Sequence, residues 1–114
     1  MNIETLREIC SSLPTVTEDI KWGNDLVFSV GRKMFCAASL EPPFTFSFKV
    51  RDDEFEELSN QDGFMPAPYA ARAKWVLATK PSKLTRKEYA SYIKQSYELV
   101  KAKLTKKLKK ELGI

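Results

Sequence analysis

The chain contains no histidine. That absence removes Ser-His-Asp and Cys-His catalysis, histidine metal sites and the usual general base near neutral pH. Glycine is scarce. Gly23, Gly31, Gly63 and Gly113 are the only four, too scattered to build a phosphate-cradling loop. The two cysteines, Cys10 and Cys36, lie 26 positions apart, which suits neither a metal-ligand pair nor a redox dithiol. Each falls in an apolar stripe, as buried free thiols do. No apolar run approaches the about 20 residues of a membrane span, and Met1 leads into an amphipathic helix rather than a signal peptide. A cytoplasmic protein is expected. Tyr69 with Lys74 has only generic spacing for an acid–base pair, and the carboxylates have no partners at catalytic spacing. The expectation is a non-enzymatic domain with no cofactor and no metal.

With 114 residues, the chain is long enough to bury a core without staples, and it reads as a single domain over residues 1–114. Its net charge of +4 conceals a strong asymmetry. Residues 1–50 carry a net −1, residues 51–65 a net −5 and residues 66–114 a net +10. Positive charge concentrated in one region suits a polyanion partner, nucleic acid or an anionic surface.

The clearest pattern runs from Lys21 to Val50. Leu26, Phe28 and Val30 alternate with Val27 and Ser29. Met34, Cys36, Ala38 and Leu40 alternate with Phe35, Ala37 and Ser39. Phe44, Phe46, Phe48 and Val50 alternate with Thr45, Ser47 and Lys49. A period of two over successive runs predicts an antiparallel meander with one buried face. Gly31-Arg32 supplies a two-residue hairpin turn, with glycine placed for type II′, and its tip is basic at Arg32 and Lys33. Ile20 to Trp22 reads as a short first strand.

Helical spacing brings Ile3, Leu6, Ile9, Cys10 and Leu13 to one face, with Asn2 as N-cap and Pro14 closing the helix. Asp52, Asp53 and Glu54 open a second helix, where they complement its dipole; consecutive acids diverge in direction and lack EF-hand spacing. Residues 64 to 74 read as irregular, and Trp75 to Ala78 as the last strand, with Trp75 in the core. Thr85 and Glu88 form a capping box for one long helix reaching Leu112. Its apolar stripe narrows to one leucine per turn beyond Val100. The lysine-rich extension from about residue 101 is therefore expected to project past the body. This order predicts an α+β fold, a two-layer sandwich of a mostly antiparallel sheet with helices packed on one face.

Trp22-Gly23, Val27-Phe28 and Val30 to Phe35, followed by Pro66, Pro68-Tyr69, Arg72, Trp75-Val76 and Ser96 to Val100, resemble the MmcQ/YjbR-like proteins. The resemblance covers the chain to about Val100. It implies a CyaY/frataxin-like fold and DNA binding with hairpins as wings. Many relatives carry histidine where this chain has Tyr69 or Lys74, so no titratable role follows there. Iron handling of the frataxin kind relies on an acidic ridge along the first helix, which here has only Glu4 and Glu8.

On this reading the candidate nucleic-acid contacts are Arg32 and Lys33 on the hairpin, Arg72 and Lys74 before the last strand, and Lys80, Lys83, Arg86 and Lys87 leading into the last helix. Non-specific, salt-sensitive DNA binding by a monomer is expected, since no base-reading helix or zinc finger is present. The alternative is a protein-interaction or small-ligand module anchored on Trp22, Tyr69 and Trp75. A third reading puts the basic helix from Lys94 to Leu112 against a membrane surface or a partner helix.

Overall fold

The computed structural model describes residues 1–114. Helix α1 (Ile3–Ser11) is followed by four strands, β1 (Thr17–Lys21), β2 (Asp25–Val30), β3 (Lys33–Ser39) and β4 (Phe46–Lys49). Helix α2 (Asp52–Ser59), strand β5 (Phe64–Pro66), a 3-10 turn (Ala71–Ala73) and strand β6 (Trp75–Ala78) come next. Helices α3 (Arg86–Lys101) and α4 (Lys106–Leu112) complete the chain. All strand pairs are antiparallel, in the order β1-β2-β3-β4-β6-β5. The fold is the expected α+β sandwich.

Register explains which side chains make the core. Directly opposed residues of antiparallel strands share a face. One rung, through Ile20, Leu26, Ala38, Phe46, Ala78 and Phe64, crosses the whole sheet. The next runs through Phe28, Cys36, Phe48 and Val76. Against this inner face pack Leu6, Ile9 and Cys10 of α1, Leu58 of α2, and Tyr89, Ile93, Tyr97 and Val100 of α3. Edge-on aromatic contacts, Phe46 with Tyr89 and Phe35 with Tyr97, lock α3 to the sheet. Both cysteines are free and buried, as their stripes implied. What spacing could not show is that they meet: a hydrogen bond with Cys36, then burial, pushes the Cys10 thiol far up, so it stays protonated.

The structure corrects several local expectations. Strand β1 begins at Thr17 and every residue in it is exposed, because it is an edge strand; Trp22 lies in the turn beyond it. Both Gly31 and Arg32 have positive φ, 56° and 68°, so the hairpin turn follows type I′ rather than II′. Phe28 pairs with Cys36 but Ser29 pairs with Met34, leaving Phe35 as the extra residue of a β-bulge. The bulge reverses the expected alternation: Phe35 is fully buried, while Met34 turns to the outer face. Residues 64–66 are a short edge strand rather than irregular chain.

The largest correction concerns the C-terminus. The long helix ends at Lys101, and Thr105 starts a new one by accepting a hydrogen bond from the Leu108 amide. The break lets Leu104 turn inward and become buried. Leu104 and Leu108 cover Gly31 so closely that a Cβ there would lie 2.7 Å from Leu104 Cδ1 and 3.2 Å from Leu108 Cδ2. The lysine-rich extension therefore folds back on the β2–β3 hairpin instead of projecting.

Candidate nucleic-acid interface

Strand directions sort the basic residues. The hairpin tip, the end of β4 and the start of β6 share one end of the sheet, since Cys36 pairs with Phe48 and Lys49 with Trp75. Arg32 and Lys33 sit there, together with Lys49, Lys74 and, just before it, Arg72. Helix α3 runs toward the same end: Ser96 bonds to both Phe35 and Lys49, and Leu104 reaches Gly31. Lys103 therefore joins them, and α4 with its four lysines docks on the hairpin at Gly31. Lys49 registers the crowding. Burial first, and then the charges of Lys103 and Lys74, hold its ammonium below the ordinary lysine range, with Asp52 partly offsetting them. Its Nζ donates to the Ala73 carbonyl, and Lys74 Nζ lies 5.0 Å from the centre of the Phe55 ring.

Lys80, Lys83, Arg86 and Lys87 lie at the opposite end, beyond Ala78 and at the start of α3. A 16-residue helix separates the two groups, about 24 Å of rise. Three of these four are already engaged with carboxylates. Lys80 and Lys83 reach Asp62 at 2.8 and 3.5 Å, and Arg86 reaches Glu8 at 3.3 Å. The hydrogen bond from Lys80 holds the Asp62 carboxyl below its usual range. Lys87 shares a shallow hollow with Glu8. Of the eight expected contacts, the fold brings together Arg32, Lys33, Arg72 and Lys74, adds Lys49 and the folded-back C-terminus, and sets the other four apart.

The outer face of the sheet carries no helix. Its floor holds Met34, Ala37, Ser47 and Leu77, and a cavity of about 700 Å³ opens over it between Trp22 and Tyr69. Trp75 is buried as expected, yet on this face rather than in the main core: the loop at Ala67 to Ala70 covers it through two backbone hydrogen bonds. Trp22 is 69% exposed and Tyr69 fully so. Both have positive φ, 53° and 65°, as do Arg32 and Lys74 at the basic end. Four of the five non-glycine residues in this strained region thus border the groove or the basic end, each at a cost of about 1–3 kcal/mol. At Arg32 the I′ turn demands it and at Lys74 the left-handed cap of the 3-10 turn does; Trp22 and Tyr69 carry it at the groove.

A two-layer α+β domain with one open, aromatic-lined sheet face, and one end where Lys and Arg gather beside the acidic first turn of α2, is the class that fold and surface define. The YjbR family model matches residues 11–99, and the chain belongs to that family. It is similar to the crystal structure of the Deinococcus radiodurans protein DR2400, a DUF419 domain, with 28% identity and a TM-score of 0.88 over 99% of this chain and 88% of that one. A Pseudomonas syringae protein shares the fold at 18% identity, with a TM-score of 0.74 over 88% of this chain and 99% of the other. No curated protein matches the chain. No helix is long and apolar enough to cross a membrane.

Proposed function

We propose that this YjbR-family domain is a non-enzymatic nucleic-acid-binding module that holds phosphates at its basic end. The observation that carries this reading is the return of the C-terminus onto the β2–β3 hairpin, with Leu104 and Leu108 over Gly31. It sets Lys103 near Lys49 and brings α4, with its four lysines, onto the hairpin that carries Arg32 and Lys33. Burial first, and then the charges of Lys103 and Lys74, lower the Lys49 ammonium; packing like charges together is unfavourable, and a polyanion relieves that part of the cost. Hairpin and helix then act as two arms on a backbone, without base-specific contacts from a recognition helix.

Anisotropy titration of labelled oligonucleotides at two salt concentrations tests it. With about four phosphates neutralised, affinity falls about a hundredfold between 50 and 200 mM salt. Lys33→Gln and Lys103→Gln each weaken binding and reduce the salt slope by about one. The pair Lys80→Gln and Lys83→Gln, already facing Asp62, changes neither. Absence of binding at low salt, or equal losses from both ends, defeats the reading.

A further inference from the structure

We infer that the groove on the open face of the sheet receives unpaired nucleobases, so that the ligand of the basic end is single-stranded rather than duplex nucleic acid. The inference rests on the phosphate-binding role of that end and adds what the bases do. The groove's two walls are the most exposed aromatic side chains of the protein, Trp22 and Tyr69, presented from opposite ends of the strands and held by left-handed backbone. Flat aromatic side chains over an apolar floor suit the faces of bases, which stack with any sequence. A duplex hides those faces.

Charge along the groove fixes the direction of entry. Lys49 follows Ser47 on the same face and pairs with Trp75, which lines the groove; its ammonium donates to the Ala73 carbonyl outside the groove, on the side of the basic surface. Asp25, on the same face, lines the other end beside the Trp22 turn. Lys49 and Asp25 are separated by about 13 Å along the strands, the span of about four residues, and by two strand spacings across the sheet. Phosphate is attracted at the first end and repelled at the second, so the chain enters base first. Every base carries an N–H on its pairing edge, and a carboxylate accepts it. In a duplex those donors are already used.

A dT 12-mer and an abasic 12-mer with the same number of phosphates distinguish bases from backbone. The dT strand is expected to bind about tenfold tighter or more, and to quench the fluorescence of Trp22, while the abasic strand binds without quenching. Trp22→Ala and Tyr69→Ala bring dT affinity down to the abasic value and leave abasic binding unchanged; circular dichroism verifies that the fold persists, and both side chains are exposed. Equal affinity for the two strands, with no quenching, overturns the groove's role and leaves phosphate binding standing. No binding of either strand at low salt overturns both. Tighter binding of a 12-base-pair duplex than of the dT strand also overturns the inference.

Discussion

The Ser96 hydroxyl donates to the Phe35 carbonyl at 2.6 Å, across 61 residues of chain, and accepts the Lys49 amide at 2.9 Å. One oxygen on α3 thus satisfies two backbone groups that the β3 bulge leaves without ladder partners. Ser96 is fully buried, and buried backbone groups without partners are costly. Ser96→Ala removes both bonds, and a loss of about 2 kcal/mol in urea unfolding is expected. Ser96→Thr, which keeps the hydroxyl, should recover part of it. If alanine changes stability by less than about 0.5 kcal/mol, the bulge is held by packing around Phe35 alone.

How much of the fold is legible in the sequence depends on how local each feature is. Phe46, Phe48 and Val50 alternate without interruption, and the inner face of β4 follows from them. Met34, Phe35 and Cys36 are three apolar residues in a row, which fit either phase of a strand; only the pairing of Ser29 with Met34 decides that Phe35 goes inside. The turn at Gly31-Arg32 is legible in place but not in type, because the positive φ at Arg32 is imposed by the flanking strands. Thr105, a good N-cap within an otherwise continuous leucine stripe, is the available signal that the last helix breaks. Lysines on a helix surface show nothing of what the helix packs against, so the basic end emerges only from the packing of Leu104 on Gly31. The groove is less legible still. Trp22 and Tyr69 come from loops 47 residues apart, and they face one cavity because β6 inserts between β4 and β5.

Alkaline pH tests the packing of α3. Burial pushes the phenols of Tyr89, Tyr92 and Tyr97 up from the ordinary value of 10.0. The unfolded chain releases these protons more readily than the folded one. Their contribution is therefore fully present below about pH 10 and is lost as pH rises through the folded-state values. The urea midpoint should fall above pH 10. Tyr97 also donates to the Pro14 carbonyl at 2.8 Å, so Tyr97→Phe should cost about 1 kcal/mol at pH 7 and make the alkaline decline shallower. An unchanged slope in that variant would assign the decline to other groups.

Gly31 links the stability of the C-terminal segment to its chemistry. Its φ of 56° disfavours any residue with a Cβ, and that Cβ would lie 2.7 and 2.9 Å from the two methyl carbons of Leu104. Leu104 can move, since the approach is to the end of a flexible side chain, but moving it exposes a buried leucine and lifts α4 from the hairpin. Gly31→Ala is expected to cost about 1 kcal/mol or more through backbone strain. Local effects should exceed the global one: amides of residues 104–113 should exchange faster by about tenfold while those of β4 and β6 keep their protection. Because Arg32 and the α4 lysines then no longer share a rigid surface, nucleic-acid affinity at low salt should fall although no charge has been removed. Leu104→Ala is the complementary variant: it keeps the glycine turn and removes the side chain that covers it, at a cost of about 2–5 kcal/mol if the site cannot collapse. Weakened binding in both variants would tie affinity to the docked C-terminus. Full affinity in both, with faster exchange confirmed, would mean that the lysines work equally well on a loose tail and that the fold-back serves stability only.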